Sequence, residues 1–140
     1  MPASQFTASD FEFKPVTLSI WNDFVSLFTE PGIQNGCWCM YWRLRRADDQ
    51  LVWSITCFFI TKPYRRQGMT ENLICAALDY ARQHSAQIVE AYPLRTEITK
   101  LLPYERYMGI QSTFERLGFA VVAQRSQRRP VMRCIINHLG

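Results

Sequence analysis

The segment from Arg65 to Thr70 combines residue types that suit an anion-binding turn. It reads Arg65-Arg66-Gln67-Gly68-Met69-Thr70 and precedes a stretch with helical periodicity. A helix N-terminus leaves backbone N–H groups unpaired and carries partial positive charge, and a glycine lets the chain approach a ligand closely. Thr70 is a good N-cap residue, and Arg65, Arg66 and Lys62 add positive charge. The turn predicts a phosphate site, with an ordinary strand-to-helix turn and solvated arginines as the alternative.

Three carboxylates that follow this turn in the chain are candidates for a general base. Glu90 ends a predicted strand and would have access to the cleft beside the turn, and Glu97 and Glu105 are the alternatives. A solvated surface carboxylate is the competing interpretation of each of the three residues. The spacing of these residues leaves the identity of the base open.

The cysteines indicate a reduced protein without a metal site. Their number is odd, most lie in apolar stretches, and His84 and His138 lack closely spaced partners; the cysteines are Cys37, Cys39, Cys57, Cys75 and Cys134. The first residues lack the basic start and apolar core of a signal peptide, and no apolar run approaches the roughly 20 residues that cross a bilayer. We therefore expect a cytoplasmic protein with no membrane span.

The elements that would position these residues fit a single domain over 1–140. The chain has 140 residues and is 48% apolar, which is enough for one core and too little for two. Alternation over 11–16 predicts a first strand, and helical spacing from Ile20 to Phe28 predicts a helix capped by Ser19. The nearly continuous apolar run over 51–60 predicts the middle strand of the sheet, buried on both faces.

The chain after the turn predicts a βαβ unit. Helical spacing over 71–84 predicts a helix with one apolar face made of Leu73, Ala76, Ala77, Tyr80 and Ala81. Residues 87–92 return as a strand, and the short connections favour a right-handed unit with parallel strands. A helix over 107–117 that ends at Gly118 follows, and 119–124 and 131–136 form an antiparallel hairpin. The predicted fold class is α/β.

Two motifs in this order resemble the GCN5-related N-acetyltransferase (GNAT) superfamily. The stretch from Val52 to Ala81 resembles its central motif, in which a strand, an [Arg/Gln]-x-x-Gly-x-[Gly/Ala] turn and a helix bind the pyrophosphate of acetyl-CoA. Gly118-Phe119, preceded by a helix, resembles its second motif. The resemblance covers about residues 52–136 and extends to an uncharacterised subgroup. It implies an α+β variant of the class, a mixed central sheet flanked by helices with its cofactor-binding core at 51–136.

The resemblance also implies how acetyl-CoA would be held and used. Backbone groups of Phe58, Phe59 and Ile60 would bond the pantetheine arm as an added strand, and amides from Arg66 to Thr70 would hold the pyrophosphate. An amine of a small molecule or a peptide would attack the thioester carbonyl directly, while an N–H of the strand stabilises the developing negative charge. A base such as Glu90 would take the amine proton, and an acid would protonate the departing thiolate.

The chain departs from the superfamily pattern in ways that bear on turnover. Thr70 stands where the superfamily usually has Gly or Ala, and Phe114 stands where a tyrosine commonly acts as the acid. The acid would then be Tyr107, Tyr104 or water. Only about eight residues join Arg43 to Val52, whereas similar sequences have a substantial segment there, so the resemblance implies that part of the sheet on the acceptor side would be missing. A partner subunit in a homodimer would restore that wall.

Three functions therefore remain open for this sequence. The first is an acetyl-CoA-dependent N-acetyltransferase that modifies an unidentified amine. The second is a catalytically degenerate acyl-CoA-binding protein, which Phe114 and the shortened connection favour. The third, ranked below both, is a nucleic-acid-binding module that uses Arg125, Arg128 and Arg129 together with exposed aromatic residues.

Overall fold

A computed structural model describes seven stretches of the chain. They are residues 8–27, 52–56, 58–60, 62–65, 67–97, 109–124 and 126–136. Several expectations fall outside these residues, including the aromatic segment 37–43, the connection from Arg43 to Val52 and the first part of the helix expected over 107–117.

The sheet has four described strands and is mixed, as the sequence predicts for an α/β protein. The strands are β1 (Val52–Ile55), β2 (Ile88–Ala91), β3 (Ala120–Gln124) and β4 (Pro130–Ile135), in the spatial order β1-β2-β4-β3. β1 and β2 are parallel, whereas β4 is antiparallel to both of its neighbours. The predicted parallel unit and the predicted C-terminal hairpin are both confirmed.

The strand expected in the middle of the sheet lies at its edge among the described strands. β1 pairs with β2 over Val52–Ile55, and Phe58–Ile60 lie outside any strand. Trp53 is 38% exposed, so β1 is not buried on both faces. The apolar run predicts burial on both faces, but part of it lies beyond the ladder, where Phe58 packs against the core.

The N-terminal segment differs from its prediction. Residues 11–17 form no strand, because Pro15 lacks the N–H that a ladder needs and restricts the backbone before it. A 3₁₀ turn at Leu18–Ile20 leads into helix α1 (Trp21–Leu27). Thr17 occupies the N-cap position of that turn, and its hydroxyl lies 2.8 Å from the hydroxyl of Ser19. Ser19 is therefore not the cap.

Helix α2 (Met69–Gln83) joins β1 to β2 and packs on the sheet. Its buried residues are Ile74, Leu78 and Ala81, which recur at helical spacing. Of the face expected from the sequence, Ala81 is buried as predicted. The other four residues, Leu73, Ala76, Ala77 and Tyr80, line an open groove of about 760 Å³ beside residues 12–15. The helix has apolar residues on two sides, and packing selects the side with the larger aliphatic groups.

Helix α3 (Gln111–Arg116) ends in the left-handed cap that Gly118 predicts. Gly118 has φ +95°, its N–H donates to the Glu115 carbonyl, and the Phe119 N–H donates to the Phe114 carbonyl. These two bonds form a Schellman motif, and the rings of Phe114 and Phe119 meet edge to face at 5.0 Å. The cap delivers the chain into β3 with Phe119 buried in the core.

The core lies between α2, α3 and one face of the sheet. Val89 and Ala91 from β2 and Met132 from β4 contact the buried face of α2 in one cluster. Since side chains alternate along a strand, Glu90 and Arg133 project to the opposite face. That second face holds a smaller cluster of Tyr92 and Val131.

Candidate functional site

The carboxyl ends of β1 and β2 meet at one edge of the sheet, where α2 begins. The β1–β2 register ends with Ile55 opposite Ala91. Further along, Leu94 pairs with Ile110: its N–H donates to the Gly109 carbonyl and its carbonyl accepts from the Gln111 N–H. The backbone of Leu94 is therefore committed to the segment before α3 and not to the chain that continues β1. Ligands of open α/β sheets bind outside such carboxyl ends.

Gly68 forms the start of α2 and shapes this edge. It is the N-cap residue and has φ +77°, a conformation that suits glycine and strains other residues. A methyl group added to Gly68 would meet no atom of the described residues within 4 Å. The first turn of α2 thus begins next to open space, with the backbone N–H groups of Met69 and Thr70 at its unpaired end.

Thr70 is not the N-cap that the sequence suggested. The helix already begins at Met69, so Thr70 is its second residue, and the Asn72 N–H donates to the Gly68 carbonyl at 3.4 Å. The left-handed backbone of Gly68 starts the helix earlier than side-chain capping preferences indicate. Thr70 therefore offers this site its backbone N–H and not a capping hydroxyl.

Arg65 lies against the chain that continues β1. Its Nε donates to the Ile60 carbonyl at 2.7 Å, and its guanidinium lies 6.0 Å from the ring centre of Phe59. Gln67 reaches back in the same way, with Nε2 donating to the Pro63 carbonyl at 2.8 Å. The first bond ties the turn to the segment that follows β1, and the second holds Gln67 within the turn. Arg66 lies outside the described residues.

Glu71 brings a negative charge into the first turn of α2, and Arg116 pairs with it. Nε of Arg116 lies 3.1 Å from Oε1 of Glu71, and its Nη2 also contacts that oxygen. The pair joins the last turn of α3 to the first turn of α2. It moderates the repulsion that Glu71 would exert on an anion bound at this helix end.

Glu90 is buried, with 4% of its surface exposed, and both of its carboxylate oxygens accept hydrogen bonds. The Tyr92 hydroxyl donates to Oε1 at 2.5 Å, and Arg133 Nε donates to Oε2 at 2.6 Å. An amine therefore has no direct approach to this carboxylate in the described structure. Of the alternatives, Glu97 is exposed and lies 3.4 Å from Arg95 Nε, while Glu105, Tyr104 and Tyr107 fall outside the described residues.

Phe114 is a core residue. It is fully buried, and its ring centre lies 6.1 Å from that of Phe58. A methyl group on Gly109, which has φ +79°, would come within 2.7 Å of the Phe114 ring. Phe58, Phe59 and Ile60 are the three residues expected to bond a pantetheine arm through their backbones. The Phe58 ring packs against the core, and the Ile60 carbonyl already accepts a hydrogen bond from Arg65.

The sequence prediction missed Tyr92 and Arg133, which bond to Glu90. It also missed Ser54, which lies opposite Glu90 and contacts Tyr92. A carboxylate within an apolar strand needs a buried hydrogen-bonding partner, so Glu90 in its strand already indicates that such a partner exists. Tyr92, two residues after Glu90 and just beyond the end of β2, continues the same face, so alternation along the strand is enough to predict it. Arg133 and Ser54 depend on strand register, which the sequence does not specify.

The structure also bears on the arginines that the sequence suggests for nucleic-acid binding. Arg129 is 5% exposed, and its Nη1 donates to the Tyr92 carbonyl at 3.0 Å, so this guanidinium is part of the fold and not of a surface patch. Arg125 lies outside the described residues.

Burial raises the pKa of the Cys134 thiol, and the Arg82 charge opposes that shift. Among the described residues, no three His, Cys, Asp or Glu side chains group as metal ligands.

Comparisons with protein-family models, curated proteins and solved structures found no significant match. Within the described part of the chain, no helix has both the length and the apolar character needed to cross a membrane.

Proposed function

We propose that this chain is an acetyl-CoA-dependent N-acetyltransferase with a GNAT-like cofactor site. The observation that carries the proposal is Gly68, which starts a 15-residue helix in a left-handed conformation beside open space. It lies at the edge where the two parallel strands end, which is where open α/β sheets bind phosphorylated ligands. The resemblance of residues 52–136 to the GNAT motifs supports the same assignment.

The described residues fit the pyrophosphate end of acetyl-CoA better than its pantetheine arm. Backbone N–H groups from Gln67 to Thr70 would hold the phosphates, since the helix end supplies unpaired donors and positive charge. Arg65 would have to leave the Ile60 carbonyl if a pantetheine amide were to bond there. The same movement would free its guanidinium for a phosphate. Acetyl-CoA supplies the activated acyl group, and the chain supplies binding, orientation and proton transfer.

Calorimetric titration of the purified chain with acetyl-CoA tests this site. We expect binding by the wild type and its loss in Gly68→Glu, because a carboxylate would enter the open space and repel the phosphates. Gln83→Glu is the matched control: it adds the same charge to the last turn of α2, about 20 Å from Gly68 at 1.5 Å per residue. That control should bind like the wild type.

Absence of binding by the wild type would contradict the proposal, and so would equal binding by Gly68→Glu. A loss of binding in Gln83→Glu as well would indicate a general charge effect and would argue against this location. Unfolding midpoints of all three proteins should accompany the titrations, because Gly68→Glu also introduces backbone strain at a positive φ.

A second candidate function is acyl-CoA binding without turnover. Phe114 favours it, since the fully buried ring occupies the position where the superfamily commonly has an acid, and the enclosed Glu90 favours it too. Release of CoA separates the two functions. Acetyl-CoA incubated with lysine, spermidine, benzylamine or a short peptide should release thiol beyond the uncatalysed rate if the chain is a transferase. Tight binding with no thiol release from any acceptor would favour the binder.

A further inference from the structure

Three polar side chains form a row across the sheet on the face opposite α2. Ser54 on β1 lies directly opposite Glu90 on β2, and Glu90 lies directly opposite Arg133 on β4. Paired residues project to the same face, so the register places a hydroxyl on one side of the carboxylate and a guanidinium on the other. Tyr92, the residue that follows β2, extends this row on the same face.

The hydroxyl groups connect Ser54 to Glu90 in one direction. The Tyr92 hydroxyl lies 2.5 Å from Glu90 Oε1 and donates its proton there. The Ser54 hydroxyl lies 3.3 Å from the Tyr92 hydroxyl. Because the single Tyr92 proton points to Glu90, Ser54 is the donor in that second bond. The chain of donors therefore runs from Ser54 through Tyr92 to the carboxylate.

Exposure differs along this series of hydrogen-bonded groups, and Ser54 is its more exposed end. Glu90 and Tyr92 are 4% and 2% exposed, whereas Ser54 is half-buried on the edge strand of the described sheet. An acceptor amine cannot contact Glu90 directly, but it can approach Ser54. β1 is also the strand that leads to Phe58–Ile60 and the turn before α2.

We propose that Ser54 and Tyr92 relay the proton of the acceptor amine to Glu90, which is the buried proton acceptor of the proposed acetyl transfer. The inference rests on the proposed function and assigns a role to two hydroxyls outside the cofactor turn. The relay explains how Glu90, which the sequence predicts as the base, can take a proton from the amine although its carboxylate is buried. The Ser54 hydroxyl contacts the amine substrate, and the Tyr92 hydroxyl connects Ser54 to Glu90.

The proposed step balances in protons and electrons. The amine nitrogen forms a bond to the thioester carbon with its lone pair, and the C–S bond breaks with its electron pair remaining on sulfur. The amine proton passes to the Ser54 oxygen, the Ser54 proton to the Tyr92 oxygen, and the Tyr92 proton to Glu90 Oε1. Glu90 is then neutral, and returning its proton along the same path to solvent or to the thiolate restores the starting state.

Arg133 is a positioning residue in this arrangement. Its Nε holds Glu90 Oε2 at 2.6 Å, which leaves Oε1 for the Tyr92 hydroxyl. Among the described residues, the charged groups around the relay are Arg133 from β4 and Arg129, whose Nη1 lies 3.0 Å from the Tyr92 carbonyl. Both cations lie on the side away from β1 and stabilise negative charge on Glu90, so they favour the resting state in which the carboxylate is ionised and both hydroxyls keep their protons.

The first test compares Ser54→Ala, Tyr92→Phe and Glu90→Gln with the wild type in thiol release from acetyl-CoA with the amines named above. We expect each variant to lose turnover on the order of 100-fold, a typical contribution of acid–base catalysis. Acetyl-CoA binding by calorimetry should stay within about twofold, because Ser54 and Tyr92 lie outside the cofactor turn. Ser54→Ala removes one half-buried hydroxyl, so it remains informative if Tyr92→Phe unfolds.

Two further measurements separate a relay from a structural network. In mixtures of H₂O and D₂O, the wild-type rate should fall along a curve because several protons move together, and Ser54→Ala should give a straight line. Without any ligand, proton NMR of the wild type should show a downfield, slowly exchanging hydroxyl signal from Tyr92. That signal should vanish in Tyr92→Phe and shift in Glu90→Gln.

The outcomes distinguish failure of the relay from failure of the proposed function. Normal turnover by Ser54→Ala and Tyr92→Phe, or a straight isotope line for the wild type, would overturn the relay and leave the transferase standing. Acetyl-CoA binding without turnover by the wild type would overturn the relay and the transferase together. Absence of acetyl-CoA binding would overturn the cofactor site itself.

Discussion

Arg133 Nε and Glu90 Oε2 lie 2.6 Å apart in directly paired positions of β4 and β2. Their side chains are only 16% and 6% exposed. Desolvation of two charges offsets much of their attraction, so such a pair contributes little net stability although loss of one partner is costly. The pair favours this register, because a shift of either strand by one residue would turn its charged side chain toward the main core and separate it from its partner.

Loss of the Arg133 charge should destabilise the fold strongly. Arg133→Met leaves Glu90 buried without its cation and should cost about 3–5 kcal/mol of unfolding free energy. The matched control is Glu90→Gln with Arg133→Met, which removes both charges and keeps an acceptor for the Tyr92 hydroxyl. Urea denaturation should show that this double variant recovers most of the loss. A double variant as unstable as the single one would contradict the argument.

Gly109 and Gly68 allow a clash to be separated from backbone strain. Their φ angles are nearly equal, +79° and +77°, but an added methyl group meets Phe114 at 2.7 Å only at Gly109. Gly68→Ala should cost about 1–2 kcal/mol from its left-handed backbone. Gly109→Ala should cost about 1–3 kcal/mol more, from overpacking against the ring. Equal losses in thermal unfolding would show that Phe114 moves aside freely.

Truncation of Phe114 should reveal its place in the core. Phe114→Ala removes a fully buried ring that contacts Phe58 and Phe119, and it should cost about 3–5 kcal/mol. Val122→Ala is the surface comparison: Val122 is 53% exposed, and its change should stay within about 0.5 kcal/mol. Denaturant midpoints measure both. A small loss for Phe114→Ala would place its ring outside the core.

The charges of Glu71 and Arg116 should tune affinity for a phosphorylated ligand. Glu71→Gln removes a negative charge from the first turn of α2 and should tighten acetyl-CoA binding by about threefold, whereas Arg116→Gln should weaken it similarly. The pair is exposed, so either change should alter stability by about 1 kcal/mol or less. Calorimetry at low salt checks the affinities. Opposite signs would place the phosphates elsewhere.

Partial burial of Cys134 should affect its reactivity and the pH dependence of stability. Burial raises the pKa of this thiol above its ordinary value of 9.0, so iodoacetamide should label the exposed Cys75 faster than Cys134 in the native protein. Peptide mapping by mass spectrometry measures the two rates. Faster labelling of Cys134 would contradict its burial.

The raised pKa of the Cys134 thiol also makes the stability of the fold depend on pH in a defined direction. In the unfolded chain Cys134 loses its proton near its ordinary pKa of 9.0, whereas the folded protein retains it to higher pH. Its contribution to stability is therefore fully present below about pH 9 and is lost as pH rises through the folded pKa. Urea unfolding of wild type and Cys134→Ala should diverge in slope above that pH. Parallel curves would argue against the shift.

Much of the local structure follows from the sequence alone. Helical spacing over 71–84 is sufficient to predict α2, whose observed range is Met69–Gln83, since periodicity acts within a few residues. Gly118 predicts the cap of α3 for the same reason, because the left-handed backbone at that position favours glycine. The order of strand, helix and strand predicts the parallel pair β1–β2 from chirality and short connections.

Tertiary structure decided which surfaces and side chains meet. Both sides of α2 carry apolar residues, and only packing against the sheet selected Ile74 and Leu78 over Leu73. Strand register joined Glu90 to Arg133 and Ser54, residues far apart in the chain whose pairing depends on the whole sheet. The sequence by itself determined α2, the cap at Gly118 and the turn at Gly68, because their causes are local. The partners of Glu90 and the edge position of β1 depended on long-range packing, which no short stretch of sequence specifies.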